Sequence, residues 1–387
     1  MLKYNEYFLN TYRRKNLNII RHQGSFLYTK EGAYLDMFAG LGVNALGGSH
    51  PAVLAVLHKQ LDQYLHLSNF FLNEPAGKLA EYLVKHSFAE SIFFSNSGTE
   101  AMEAAIKLIK KYGAANGRDK ILVFKSGFHG RTLGALSATA QAKYQDQVKP
   151  LLPGFVVADY NDTEGFLRLI DSSYAGVILE PLQGEGGIFP ADRQFLETIR
   201  QKTAELEIIL TIDEIQSGIG RTGKLFAFEH YGIEPDLVTA AKPLGGGLPL
   251  GALLVNKKYN SIFAPGDHGS TFGGNALPCA GGLALLEIVN QPQFLEDVAA
   301  KGEYLITEFK RLKSQDPDLI GEIRGMGLML GIEILRNPQL LADRMEENKV
   351  LVNFTRENVL RLLPPLNISL EELKLFIDTL EKVLKDL

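Results

Sequence analysis

A lysine stands between an apolar run and a cluster of glycines. The segment reads Leu237-Val-Thr-Ala-Ala-Lys242-Pro-Leu-Gly245, and Gly246 and Gly247 follow it. The apolar run predicts a buried strand, so the lysine at its end would be partly removed from water. Burial disfavours the ammonium form and leaves a free amine that can attack an aldehyde. A strand-end lysine that extends into solvent would give the same pattern. The other motifs of the chain are therefore needed to distinguish a reactive amine from a solvent-exposed one.

A carboxylate and an amide follow a second apolar run, residues 208–212. Asp213 would stand at the carboxyl end of this predicted strand, and Gln216 lies three positions further on. A carboxylate there suits the pyridine nitrogen of pyridoxal 5′-phosphate (PLP), because a protonated nitrogen lets the ring accept the electrons of a carbanion. Gln216 could hydrogen-bond the phenolic oxygen of the same ring. Asp213 could instead cap the following helix or pair with Arg221.

A turn of small residues, Ser97-Gly98-Thr99, separates a predicted strand at 92–94 from a predicted helix. The free N–H groups and the positive dipole end of a helix N-terminus bind anions, so these three residues could hold a phosphate. An ordinary helix N-cap would have the same sequence. The helix is predicted by five residues that share one face, namely Ala101, Ala104, Ala105, Leu108 and Tyr112.

The sequence Phe128-His129-Gly130-Arg131 follows a third apolar run, at 121–124. Phe128 could lie against the face of an aromatic cofactor. Arg131 could bind a carboxylate through two parallel hydrogen bonds, for which its planar guanidinium is better suited than a lysine. His129 is predicted to support this loop without titrating.

These residues all follow predicted strands, so a sheet would have to position them. The chain between about residues 90 and 255 alternates short apolar runs with helical patterns. That alternation predicts an α/β fold with a mostly parallel sheet. Ligands bind such sheets at the carboxyl ends of the strands, where glycines and polar residues follow several of the runs. The runs are 92–94, 121–124, 176–179, 208–212, 237–241 and 252–255.

The rest of the chain predicts a second, smaller unit. Two helical patterns after residue 280 precede strand-like runs at 328–334 and 359–363, which indicates an α+β domain. Ser369 and Glu372 predict a capping box for the final helix. We therefore divide the chain into an N-terminal segment that joins the small domain (1–50), a large PLP-binding domain (51–275) and a C-terminal small α+β domain (276–387).

The composition is that of a globular enzyme and limits the possible ligands. Of 387 residues, 45% are apolar and 22% charged, and the net charge of −5 without a run of five like charges argues against nucleic-acid and membrane partners. Cys279 is the only cysteine, which excludes an internal disulfide and a cysteine metal cluster. Neither metal-site spacing nor the glycine fingerprint of an NAD enzyme is found. Without an apolar block near the start for a signal peptide, we expect a soluble cytoplasmic protein.

Seven motifs follow one another along nearly the whole chain: Asn96-Ser-Gly-Thr-Glu-Ala101, Phe128-His-Gly-Arg131, Glu180-Pro-Leu-Gln-Gly-Glu185-Gly-Gly187, Asp213-Glu-Ile-Gln216, the Lys242 segment, Gly269-Ser-Thr-Phe-Gly-Gly-Asn275 and Arg324-Gly-Met-Gly327. In this order they resemble the motifs of class III aminotransferases, which have the PLP fold-type I. Seven motifs in one order are far more specific than any one of them. The segment at 266–275, the short length and the ending Arg361-Leu-Leu-Pro-Pro-Leu366 most resemble the members that act on N-acetylornithine.

The resemblance implies a role for each residue around the cofactor ring. Lys242 would hold PLP covalently and would later move a proton between the substrate carbon and the cofactor carbon. Asp213 would pair with the protonated pyridine nitrogen, and Gln216 would contact the phenolate oxygen. Phe128 would stack on the ring.

The resemblance also implies how the phosphate is bound. Ser97, Gly98 and Thr99 would cradle it within one subunit. Thr271 of the partner subunit would reach the same phosphate. A homodimer with shared active sites is therefore expected.

Two arginines would bind the substrates, which carry carboxylates at different distances from the reacting amine. The family pattern puts Arg131 on the distal carboxylate and Arg361 on the α-carboxylate of glutamate. Glu185 would neutralise Arg361 while acetylornithine is bound and release it for glutamate. Ser270 would help to position acetylornithine beside Arg131.

Three positions depart from the family pattern without carrying proposed chemistry. Pro243 and Met102 replace a frequent glycine and a frequent asparagine, and the stretch Gly47-Gly48-Ser49-His50-Pro51 has a glycine where a histidine is expected. His50 is therefore given no catalytic role.

Three classes of function remain open. The first is an aminotransferase for a terminal amine far from a carboxylate, with acetylornithine preferred and ornithine, succinylornithine, succinyl-diaminopimelate or 4-aminobutyrate as alternatives. The second is a PLP decarboxylase or aminomutase. The third is a PLP-type fold without catalysis, against which the combination of Lys242, Asp213 and Gln216 argues.

Overall fold

The structure, a computed structural model, describes residues 4–387. Its largest sheet has seven strands, and all neighbours pair in parallel except at β12, which is antiparallel to both of its partners. The predicted α/β fold with a mostly parallel sheet is thereby confirmed. From one edge to the other the strands are β4 (Ser91–Ser95), β12 (Gly251–Val255), β11 (Leu237–Ala240), β10 (Ile209–Asp213), β7 (Tyr174–Leu179), β5 (Lys120–Phe124) and β6 (Phe155–Ala158).

The central strands are buried along nearly their whole length because helices cover both faces of the sheet. Alternate side chains of β5 go to opposite faces: Leu122 and Phe124 belong to one hydrophobic cluster, and Ile121 and Val123 belong to another. The second cluster includes Ala104, Ala105 and Leu108 of the helix that was predicted after the Ser97 turn.

The helices lie around the large sheet and connect its strands. Four short 3-10 turns lie at 5–7, 227–231, 242–245 and 257–259. The α-helices are α1 (Ala39–Gly42), α2 (Pro51–Leu61), α3 (Glu74–Lys85), α4 (Gly98–Ala115), α5 (Leu133–Ala138), α6 (Ala142–Gln145), α7 (Thr163–Leu169), α8 (Arg193–Glu205), α9 (Ala276–Val289), α10 (Pro292–Gln315), α11 (Pro338–Glu347) and α12 (Leu370–Leu384).

Smaller sheets are formed by the two ends of the chain. The N-terminal strands β1 (Arg21–Gln23), β2 (Phe26–Thr29) and β3 (Gly32–Asp36) are antiparallel, and β3 also pairs in parallel with β15 (Val350–Leu351). A C-terminal antiparallel sheet contains, in spatial order, β13 (Ile320–Met326), β14 (Met329–Ile334), β17 (Val359–Leu362) and β16 (Asn353–Thr355). The strands β8 (Leu182–Gln183) and β9 (Phe189–Pro190) form a hairpin.

The last helix shows how the two ends are held together. Ser369 and Glu372 form the predicted capping box of α12. The hydroxyl of Ser25 donates a hydrogen bond of 3.0 Å to the same Glu372 carboxylate. These contacts join the N-terminal strands to the C-terminal part, while the domain limits at 50/51 and 275/276 stay predictions.

The described part of the chain was also searched for membrane and metal features. None of its helices is both long and apolar enough to cross a bilayer. Within residues 4–387, no group of three His, Cys, Asp or Glu side chains is arranged to hold a metal ion.

Candidate active site

A cavity of about 490 Å³ opens at the carboxyl edge of the large sheet. It is lined from the ends of β4, β5, β7, β10 and β11, because parallel strands deliver the residues that follow them to the same edge. Nine predicted site residues line this cavity: Ser97, Gly98, Thr99, Phe128, Arg131, Glu185, Asp213, Gln216 and Lys242.

Lys242 begins the 3-10 turn after β11 and has φ +43°, in the left-handed region. Its side chain faces the cavity, and no other side chain within residues 4–387 forms a hydrogen bond or ion pair with its amine. Burial, with the positive charge of Arg361 as the second cause, lowers the pKa of Lys242 to about 8. The lysine is therefore an uncommitted amine that loses its proton easily, as attack on an aldehyde requires.

This lowered pKa predicts how fast the protein without cofactor takes up PLP at different pH values. At pH 7 about a tenth of a lysine with a pKa near 8 is unprotonated, and at pH 8 about half. The initial rate of PLP uptake, followed by absorbance, should rise about fivefold from pH 7 to 8 and become level above about pH 9.

The control for this experiment is a simple alkylamine, whose rate with PLP should keep rising about tenfold per pH unit below its own pKa. If uptake by the protein continues to rise in that way above pH 9, the pKa of Lys242 is not lowered.

Asp213 is the last residue of β10, and its side chain is 3% exposed. Its Oδ2 lies 2.7 Å from Nδ1 of His129, and its Oδ1 accepts hydrogen bonds of 3.1 Å from the Thr239 hydroxyl and from the N–H of Ile215. Burial alone would lower the pKa of His129, but the hydrogen bond and charge of Asp213 outweigh it, so the pKa is raised. The contact with His129 holds the Asp213 carboxylate in one orientation in a buried environment.

The structure corrects two expectations about these residues. His129 does not only support its loop, because it bonds directly to Asp213. Arg221, the alternative partner of Asp213, instead donates to the carbonyl oxygens of Leu328 and Pro364. The position of His129 directly after Phe128 was the only sequence signal for this contact.

Glu180, which follows β7, was also missed. Its carboxylate accepts hydrogen bonds of 3.0 Å from the N–H groups of Phe128 and Gly184. Burial raises its pKa to about 7. Glu180 therefore ties the Phe128 loop to the loop that carries Glu185.

The Ser97 turn forms the N-terminus of α4. The Ser97 hydroxyl accepts a hydrogen bond of 3.3 Å from the N–H of Glu100, and Gly98 begins the helix. A Cβ on Gly98 would lie 2.7 Å from Cδ1 of Ile215, so no larger residue fits this turn. The first N–H groups of a helix have no partner within the helix, and here they lie at the wall of the cavity.

Arg361 lies on β17 and is 3% exposed. Its Nη1 donates to Oε1 of Glu185 and, at 3.4 Å, to Oε1 of Gln216. Burial would raise the pKa of Glu185, but the charge of Arg361 outweighs it and lowers this pKa. Arg361 itself is not among the residues that line the cavity, but it forms an ion pair with Glu185, which is.

Arg131 is held differently, by aromatic rings. Its guanidinium carbon lies 3.8 Å from the ring centroid of Tyr144 and 5.5 Å from that of Phe128. Arg131 has no acidic ion-pair partner in the described part of the chain, so its charge is available to a carboxylate. Tyr144 was not identified from the sequence.

Ser270 and Thr271 are not among the residues that line this cavity. The hydroxyl of Ser270 accepts hydrogen bonds from the side-chain amide of Asn96, at 3.1 Å, and from the N–H of Gly273, at 2.9 Å. Thr271 is exposed, as is Phe272 after it. Within a single chain neither residue lines the cavity, so the roles predicted for them in binding substrate and phosphate stay predictions.

The glycine in place of a family histidine has a structural reason. A Cβ on Gly48 would lie 2.2 Å from Cγ of His22, so the imidazole of His22 leaves no room for a side chain there. His50 lies at the N-cap of α2 and outside the active-site cavity, as expected for a residue without a catalytic role.

The cavity contains a suitable group for each part of PLP. The buried carboxylate of Asp213 can accept the pyridine N–H, the helix N-terminus can bind the phosphate, and Phe128 can contact the ring. The amide oxygen of Gln216 faces Arg361, which leaves its NH₂ group to donate to the phenolate oxygen. The unpartnered amine of Lys242 completes the set.

Comparisons with known proteins show the family to which this chain belongs. The family model described as "Aminotransferase class-III" matches residues 8–384. The acetylornithine aminotransferase of Caldanaerobacter subterraneus is 42% identical over 99% of this chain and 98% of its own length. The succinylornithine transaminase of Yersinia pseudotuberculosis is 40% identical over 96% and 93%. The crystal structure of N-acetylornithine aminotransferase from Stenotrophomonas maltophilia has a TM-score of 0.84 and 33% identity, and the alignment covers 97% of each chain.

Proposed function

The chain belongs to the class III aminotransferases, which are PLP-dependent, and we propose that it transfers the δ-amino group of N2-acetyl-L-ornithine to 2-oxoglutarate. This reaction would serve arginine biosynthesis in the cytoplasm. The observation that carries the proposal is the presence of two arginines with different surroundings: Arg131 lines the cavity, and Arg361 is paired with Glu185, which also lines it. Arg361 has an acidic partner, which would have to leave when glutamate binds, whereas Arg131 has no acidic ion-pair partner within residues 4–387.

Bound PLP supplies an aldehyde for attachment of the amine and a ring that accepts electrons from the neighbouring carbon. Lys242 is proposed as the residue that holds the cofactor and moves the proton at the amine-bearing carbon of the substrate. Asp213 would keep the pyridine nitrogen protonated, because its carboxylate is buried and held in place by His129. Gln216 would donate to the phenolate oxygen, and Phe128 would pack on the ring.

The N-terminus of α4 is proposed as the phosphate site. The N–H groups of Gly98 and Thr99 would donate to the phosphate, because the first turn of a helix leaves them without helical partners. Ser97 would fix this turn through its cap on Glu100.

The two substrates place different demands on the site. N-acetylornithine has one carboxylate, far from the reacting amine, and Arg131 would bind it with help from Ser270. During this half of the reaction the charge of Arg361 has no substrate partner, and the ion pair with Glu185 neutralises it. Glutamate has a carboxylate at each end, so its α-carboxylate would replace Glu185 on Arg361 while Arg131 binds the other.

We also propose a homodimer with shared active sites. Thr271 would then reach the phosphate bound by the partner subunit, which fits its exposed position. Large apolar side chains are also exposed: Phe70 is 94%, Leu72 is 102% and Phe272 is 58% accessible in the single chain. A partner subunit that covered them would remove this apolar surface from water. The division into residues 1–50, 51–275 and 276–387 is part of the same proposal.

A comparison of amine donors tests the proposed substrate. With 2-oxoglutarate as acceptor, kcat/KM for glutamate formation should be at least about tenfold higher with N2-acetyl-L-ornithine than with ornithine, because the charged α-amine of ornithine would be placed near the positive charge of Arg131. Succinylornithine, succinyl-diaminopimelate and 4-aminobutyrate complete the series.

A higher kcat/KM with one of these other donors would replace acetylornithine with that donor and leave the aminotransferase class intact. Release of carbon dioxide without glutamate formation would instead indicate a decarboxylase. An isomerised amine without glutamate formation would indicate an aminomutase.

A further inference from the structure

Asn353 lies directly opposite Arg361 in the antiparallel pair of β16 and β17. Side chains at opposite positions of such a pair lie on the same face of the sheet and contact each other. The neighbour of Arg361 on its other side is Gly331 of β14, which has no side chain to offer. A Cβ on Gly331 would lie 2.8 Å from Cβ of Ile188. Asn353 is therefore the cross-strand side chain that orients Arg361 within this sheet.

The donors of Arg361 are divided between two kinds of partner. Its Nε and Nη2 donate to the single amide oxygen of Asn353, over 3.1 Å and 2.7 Å. Its Nη1 donates to Glu185 and Gln216. When Glu185 moves away, only the Nη1 side loses a partner, and the two bonds to Asn353 keep the plane of the guanidinium in place.

Asn353, which would stay in contact with Arg361, is neutral, whereas Glu185, which would move away, is charged. An amide oxygen orients a guanidinium without cancelling its charge, whereas a carboxylate does both. With Asn353 in place, Arg361 keeps its full charge for an incoming carboxylate once Glu185 has moved. A carboxylate at position 353 would neutralise the charge of Arg361 even after Glu185 has moved away.

We infer that Asn353 is a positioning residue that determines specificity for the dicarboxylate substrate: it holds Arg361 in the binding orientation while leaving its charge free for the α-carboxylate of glutamate. The inference rests on the proposed function, because it assigns glutamate to Arg361. It adds a residue with no proposed contact to PLP or acetylornithine. The substrates affected are those with a carboxylate next to the reacting amine.

The substitution Asn353→Asp tests this inference, because it changes charge and hardly changes shape. The KM for glutamate should rise at least about tenfold, while the KM for N2-acetyl-L-ornithine stays within about twofold. Glutarate, a dicarboxylate without an amine, should bind the PLP-loaded variant at least about tenfold more weakly than the wild type in calorimetric titrations.

Two further variants keep the test decisive. Asn348→Asp introduces the same change at the C-terminal end of α11, away from the cavity lining, and should leave all three constants unchanged. Asn353→Ala removes both hydrogen bonds to Arg361 without adding charge, and it should also weaken glutarate binding. It replaces Asn353→Asp as the test if that variant does not fold.

Wild-type glutarate affinity in both Asn353 variants would overturn the inference, and so would equal increases in KM for glutamate and acetylornithine. Failure of the proposed function would look different. The wild type would then not convert acetylornithine, whereas the effect on glutarate binding would persist.

Discussion

Lys242→Ala is expected to lower kcat/KM by at least about 1000-fold, because the variant loses both the amine that holds the cofactor and the group that moves the proton. No other lysine within residues 4–387 lines the cavity, so none of them can take over at the same place. Steady-state kinetics with N2-acetyl-L-ornithine and 2-oxoglutarate measure the loss. Mass spectrometry after borohydride reduction should find the cofactor attached to the wild type and not to the variant.

A second lysine at the same edge of the sheet provides the matched control. Lys125 follows β5 as Lys242 follows β11, but its ammonium is exposed and lies 3.5 Å from Asp159. Lys125→Ala should keep kcat/KM within about twofold of the wild type. If Lys242→Ala retains more than a tenth of the wild-type activity, or if the reduced cofactor is attached to another lysine, the role given to Lys242 is wrong.

Asp213→Asn is expected to have the second largest effect, a fall in kcat of about 100-fold or more. A neutral amide cannot hold a proton on the pyridine nitrogen as a carboxylate can. The substitution also takes an ionic partner from His129, which is buried, so we expect the free energy of unfolding to fall by about 1–3 kcal/mol. Kinetics and thermal unfolding of the PLP-loaded protein measure the two effects.

The control for Asp213 is Thr239→Val, which removes a 3.1 Å hydrogen bond to Oδ1 but leaves the carboxylate and its bond to His129. Its kcat should fall by less than about tenfold. Wild-type kcat in Asp213→Asn would show that the carboxylate is not needed. Equal losses in both variants would show that the hydrogen bonds of Asp213 matter and its charge does not.

The sequence predicted those parts of the fold that depend on local pattern. Buried parallel strands are apolar along their whole length, so β5, β7, β10 and β11 were recognisable, and their carboxyl ends placed Asp213 and Lys242 at one edge. The capping box of α12 is a local signal as well and was read correctly. The substrate-side motifs were recognised through the family resemblance and not through their chemistry.

Residues that act through distant contacts were not predictable in this way. His129 meets Asp213 across 84 positions, and Asn353 meets Arg361 only because β16 and β17 pair in one particular register. Glu180 binds backbone N–H groups of two separate loops. Tyr144 contacts Arg131 through the fold of the α5–α6 segment. Apart from the position of His129 directly after Phe128, spacing and residue type carry no signal for these contacts.

A visible absorption spectrum of the PLP-loaded protein, titrated first with N2-acetyl-L-ornithine and then with 2-oxoglutarate, reports both halves of the proposed transfer directly. The absorbance band of the lysine-bound cofactor should disappear with acetylornithine at a lower concentration than with succinylornithine, ornithine, succinyl-diaminopimelate or 4-aminobutyrate, and 2-oxoglutarate should restore it. If acetylornithine leaves the band unchanged while another amine removes it, acetylornithine is not the donor. If no band forms with added PLP, the assignment of Lys242 is contradicted.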